Sequence, residues 1–169
     1  PLVESTPEEA IRQLMGTPLS PKPLSATLDP FELSPITGDD LDIGPFNLSF
    51  WAQPHPGGSM GIRVNDQVAF MTDRAMNLPL QDQAGGVALL IHDLWLTDEE
   101  ARANPAALNI HTSLSGLADV ARARNVKSVM PIHHHPSRTQ DEIDQLCEEL
   151  ERQSGIPVIT PVEGHAYTL

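Results

Sequence analysis

His55, in Gln53-Pro54-His55-Pro56-Gly57-Gly58-Ser59-Met60-Gly61, precedes Thr72-Asp73-Arg74 at the end of an apolar stretch and, further on, His133-His134-His135-Pro136. An imidazole, a carboxylate and a second imidazole, each placed where a strand gives way to a loop, are what neighbouring hydrolytic metal ions need. Imidazole nitrogen and carboxylate oxygen suit zinc, iron or manganese, and an aspartate can bridge two ions while histidines hold one each. Three ligands cannot complete two coordination shells, so the series reads as half of a dinuclear centre. Gly57 and Gly58 beside His55 let backbone approach a substrate closely and expose N–H donors, a role tight-turn chemistry explains equally well. His92-Asp93 and His111 are candidates for proton transfer, because a carboxylate that orients an imidazole raises its basicity and fixes its tautomer. A satisfied structural pair is the competing reading.

The elements that position these residues follow from patterning. Thr6-Pro7-Glu8-Glu9 caps a short first helix that ends at Gly16, and the prolines of residues 17–35 mark a surface arm. Leu41 to Trp51 gives two strand pieces around Gly44-Pro45. Asn65-Asp66 turns a hairpin between 61–64 and 67–72 that delivers Asp73. Val87 to Ile91 reads as a buried strand with His92 and Asp93 at its carboxyl end. Thr97 to Glu100 is a capping box, a second helix follows Thr112-Ser113, and Val126 to Ile132 is a strand ending at the three histidines. Thr139 to Glu142 caps a last helix with the stripe Ile143, Leu146, Cys147 and Leu150, followed by a strand over Ile156 to Thr160. His165 falls in a final strand signal and reads as structural.

Composition narrows the classes. The 169 residues suffice for one domain with a real core, and 40% are hydrophobic. A formal charge of −13 argues against a surface that gathers nucleic-acid phosphates non-specifically. A single cysteine, Cys147, excludes an internal disulfide and is compatible with a reducing cytoplasm. No apolar run approaches the ~20 residues that span a bilayer, which predicts a soluble, cytoplasmic protein.

Taken together, the segments from Pro7-Glu8-Glu9 to Leu24, His55-Pro56-Gly57-Gly58-Ser59-Met60-Gly61, Leu89-Leu90-Ile91-His92-Asp93, His111-Thr112-Ser113 and Ile132-His133-His134-His135-Pro136 resemble, in order and spacing, the C-terminal half of the metallo-β-lactamase fold. The resemblance is to its phosphodiesterase-like and tRNA-processing-like branch. It implies an α/β fold, the αββα sandwich represented mainly by its C-terminal half, as one partial domain over 1–169. By the same resemblance His55 and a histidine of the triplet bind one metal each and Asp73 bridges them. His133 is favoured because the family's ligand lies three residues before the proline, with His134 and His135 as contenders or substrate contacts. Asp93 and His111 occupy the places of the family's proton-shuttling pair, although aspartate reaches less far than the family's glutamate.

The family signature H-x-H-x-D-H does not occur in the 169 residues. The resemblance therefore implies roughly another hundred residues upstream and an apolar sheet face in need of a cover. The expected activity is hydrolysis of a phosphodiester or related ester by a hydroxide bridging two divalent ions (zinc, manganese or iron), with a small-molecule or nucleotide-like substrate. The isolated chain is expected to be inactive. The alternatives are a non-catalytic half-fold that dimerises or binds a partner, and one chain of a split enzyme whose other chain supplies the N-terminal half.

Overall fold

The computed structural model describes residue 9 and residues 38–56, 58–73 and 82–168. The chain divides into two units, Pro1–Asp39 and Asp40–Leu169, and the second holds every strand among the described residues and the candidate site. The expected first helix apart from Glu9, the proline-rich arm and Gly57 lie outside the described residues.

Six strands form one mixed sheet in sequence order: β1 (Asp40–Ile43), β2 (Phe46–Gln53), β3 (Ser59–Val64), β4 (Val68–Met71), β5 (Leu89–Asp93) and β6 (Ser128–Ile132). Strands β1 to β4 are antiparallel, and β4, β5 and β6 are parallel. The β3–β4 hairpin closes through Asn65 (φ 50°) and Asp66 (φ 57°), both left-handed, the backbone a type I′ turn requires. Helices α1 (Asp98–Ala103), α2 (Leu114–Ala123) and α3 (Gln140–Ser154) follow the parallel strands. Reciprocal capping boxes at Thr97/Glu100 and Thr139/Glu142 start α1 and α3, and Gly155 ends α3 in the left-handed conformation.

Because strand side chains alternate, the sheet presents two different faces. On one, Ala69, Met71, Leu90 and Val129 join Leu117, Ala118, Ala121, Leu146 and Leu150 of α2 and α3 in a buried core. On the other, Phe50, Ile62, Phe70, Ile91 and Met130 pair across five strands as a continuous apolar row.

Trp51 faces Gly61 across β2 and β3, and a methyl group at Gly61 would stand 2.2 Å from the Trp51 indole. Gly61 is thus needed for packing, as its φ does not require glycine. Gly61→Ala is expected to lower the unfolding free energy by about 1–3 kcal/mol, the usual cost of overpacking. Urea denaturation checks this, and an unchanged midpoint would refute the close approach.

Three expectations are corrected. The strand expected over Val87 to Ile91 runs instead from Leu89 to Asp93, carrying His92 and Asp93 inside the sheet, because β6 pairs with it as far as Asp93↔Ile132. The segment Ile156 to Thr160 forms only an isolated bridge, with Val129 bonding Pro157 O and Ile159 N. Pro157 and Pro161 lack the donors a longer ladder needs. Those bonds point the peptide groups of Val129 outward, and alternation does the same for Pro131, so its missing N–H falls at the open edge rather than against β5. His165 lies in no strand and is exposed, with its ring edge-on to Tyr167.

Candidate metal centre

Strands β2, β4, β5 and β6 run in the same direction, so their carboxyl ends open onto one edge of the sheet. His55 follows β2, Asp73 follows β4, His133 follows β6 directly, and His111 lies in the loop before α2. Asp73 (φ 53°) and His133 (φ 52°) both adopt left-handed backbone, which costs a non-glycine residue energy that the surrounding structure has to supply. The strained pair meets: His133 Nδ1 is 3.1 Å from Asp73 Oδ1.

Gln53 holds the β4 exit. Its buried amide donates to the Thr72 carbonyl (2.8 Å) and to Ser59 Oγ (3.0 Å), and Ser59 Oγ donates to the same carbonyl. The peptide just before Asp73 is therefore fixed by the ends of β2 and β3.

The triplet separates by what each ring does. His134 donates from Nδ1 to the Leu94 carbonyl (3.1 Å), tying the ends of β5 and β6 together. Burial outweighs this bond and lowers the His134 pKa, keeping the ring neutral. His135 accepts at Nδ1 from the Ser137 hydroxyl (2.8 Å) and N–H (3.2 Å). His133 is the member that faces Asp73.

Asp93 is fully buried and accepts from the Thr112 N–H (2.9 Å) and hydroxyl (3.3 Å) and from His92 Nδ1 (3.1 Å). His111 Nδ1 lies 3.9 Å from the second Asp93 oxygen. Burial depresses the His111 pKa more than the Asp93 carboxylate raises it, so the imidazole is held neutral, the form that offers a lone pair. Sequence reasoning missed Trp95, whose indole lies parallel to His111 with centroids 4.2 Å apart. An aromatic residue two positions past His92-Asp93 was the available signal.

One donor atom each from Asp73, His111 and His133 lies within 4.8 Å of the others, the one such group of three among the described residues. Donors bound to one cation at about 2.0–2.2 Å stand roughly 3–3.5 Å apart, so small side-chain rotations close this group. Two imidazoles and a carboxylate suit zinc, manganese or iron. His55 stands beside the group, its ring centroid 6.4 Å from that of His111. Gly58 donates to the His55 carbonyl in a turn (2.9 Å) and has φ 88°, so a side chain there would be strained although space is open.

No protein-family model matches the chain, and a search of curated proteins finds none that does. Solved structures do match. The metallo-β-lactamase fold protein YhfI from Bacillus subtilis superposes with a TM-score of 0.57 at 18% identity, over 72% of this chain and 49% of its own. The chain has the metallo-β-lactamase fold. A structure described as a new diphosphatase from the PhnP family superposes at 0.52 and 14% identity, over 90% of this chain and 61% of its own. The chain thus spans about half to three-fifths of the length of these two structures. Among the described residues, no helix is long and apolar enough to cross a membrane.

Proposed function

We propose that this chain carries one side of the metal centre of a metallo-β-lactamase-fold hydrolase acting on phosphodiester or related ester bonds of a small, nucleotide-like substrate. The observation that carries this reading is the convergence of Asp73, His111 and His133 at the strand ends, two of them in strained backbone. A bound divalent cation supplies a lowered water pKa and stabilises charge developing on the substrate oxygen.

The chain's own residues do the rest. Asp73 and His133 lock each other's orientation, and the Asp93 carboxylate, 3.9 Å from His111 Nδ1, lies close enough to exchange a proton with that ring through a small shift. His55, adjacent to the group, serves a second cation together with ligands from the remainder of the domain or from a partner chain. His134 and His135, engaged with Leu94 and Ser137, shape the loop. The diphosphatase likeness and the strongly acidic chain favour a small phosphorylated substrate over a polymer held by its phosphates. The single buried cysteine accords with a cytoplasmic setting.

A second role for His111 is favoured by its contact with Asp93: a proton carrier to the leaving group rather than a ligand. His111→Ala separates the two. Loss of metal together with rate marks a ligand, whereas retained metal with a loss of about 10²–10⁴ in rate marks a proton carrier. The overall reading is tested by elemental analysis of the full-length protein and hydrolysis of bis(p-nitrophenyl) phosphate. Stoichiometric metal and turnover, both lost in His55→Ala/Asp73→Ala, are expected; metal content unaffected by that double change would refute the assignment.

A further inference from the structure

Trp95 leaves β5 two residues past Asp93 and is clamped on both sides of its peptide. Its N–H donates to the Thr112 carbonyl (3.3 Å), and its own carbonyl accepts from Arg138 (2.9 Å), whose guanidinium also pairs with Glu100. The neighbouring Leu96 bridges to Ser113, so the Trp95 loop and the His111 loop are stitched together. The main chain that carries the indole is therefore held in place. The indole stacks on His111 at 4.2 Å with planes 4° apart, tilts against His133 at 5.0 Å and meets His135 edge-on at 5.1 Å.

His111 needs such a support. Its Nδ1 is buried and makes no hydrogen bond, and Asp93 at 3.9 Å is beyond hydrogen-bond range. A hydrogen bond is the usual device that fixes a ligating imidazole's plane. Here the indole face supplies the constraint.

We propose that Trp95 is the positioning residue of this site, setting the ring planes of His111 and His133 so that both present a nitrogen toward Asp73 before a cation arrives. The inference rests on the three-donor reading above. Preorganisation of this kind acts on affinity, because side chains already held in the bound geometry lose little freedom on binding.

The test has two arms. In the metal-free wild-type chain, protons beneath an indole face are shielded, so the His111 ring resonances are expected well upfield of those of exposed His165. Trp95→Phe should reduce the shift and Trp95→Leu abolish it. An unshifted His111 in the wild type overturns the stacking and the proposal, whatever the metal chemistry. In the second arm, calorimetric titration with zinc is expected to show Trp95→Leu binding about 10–100-fold more weakly than the wild type. Trp95→Phe, which keeps an aromatic face, should restore most of the affinity. Folded Trp95→Leu protein that binds zinc as the wild type does overturns the positioning role while leaving the metal site standing. A wild-type protein that binds no zinc, manganese or iron overturns the metal reading and this inference with it.

Discussion

Asparagine in place of Asp73 is expected to remove divalent-cation binding while leaving the unfolding free energy within about 0.5 kcal/mol of the wild type. The backbone at this position is left-handed, and asparagine adopts that conformation as readily as aspartate. The contact with His133 is more than a third exposed on each side, and even a fully charged pair of this class contributes only about 0–1 kcal/mol. What asparagine lacks is the anionic oxygen. With only three donors converging, losing the charged one should cost more than the ~10–100-fold typical of an outer partner. Asp73→Gly sharpens the contrast: relief of the left-handed backbone should raise stability by up to about 1 kcal/mol while binding is lost. Zinc calorimetry and urea denaturation read the two effects separately. Asp73→Asn protein that binds zinc with wild-type affinity would remove Asp73 from the site.

That strain was not legible in the sequence, and the reason is physical. Turns and caps are local: Asn65-Asp66, Thr97/Glu100 and Thr139/Glu142 carry their own donors, acceptors and backbone preferences within four residues, and each forms where the pattern places it. The ends of β5 and β6 are set by pairing instead. The apolar run stops at Ile91, yet the strand continues through His92 and Asp93 because their polar groups satisfy one another and Thr112. A hydropathy pattern stops at the first polar residue, whereas a parallel ladder does not have to. Similarly, the spacing of His55, Asp73 and the triplet announced a metal chemistry. The grouping of His111 with Asp73 and His133 depends on the Leu96–Ser113 bridge, and Trp95 gains its place from the same long-range stitch. The triplet resolves only in three dimensions, where His134 and His135 are occupied by Leu94 and Ser137.

Asp93→Ala is expected to cost about 3–5 kcal/mol of stability at neutral pH, the range for removing one partner of a buried charged network. The residue is fully buried, and its loss removes the carboxylate that the Thr112 N–H donates to, a buried donor worth about 1–3 kcal/mol when left unpaired, and takes the charge away from beside His92. His92 Nδ1 keeps the Asp93 backbone carbonyl at 2.9 Å, so the loss at His92 is one of charge rather than of its hydrogen bond. The pH dependence gives the effect a signature. Burial raises the Asp93 pKa, but the hydrogen bond and charge of His92, the Thr112 N–H and the attraction of His111 outweigh it, so the folded value lies below the ordinary 3.8. A depressed carboxylate pKa contributes stability that is fully present above the unfolded value and disappears as pH falls through the folded one. The gap between wild type and Asp93→Ala should therefore be constant from neutral pH down to about pH 5 and narrow progressively below it. Urea midpoints taken across that range measure the gap, and a difference that persists undiminished in acid would mean that the loss is one of packing, not of charge. The stacked indole of Trp95 makes a further distinction. Because the indole, and not Asp93 at 3.9 Å, holds the His111 plane, Asp93→Ala should weaken zinc binding by no more than about tenfold even though it destabilises the fold severely.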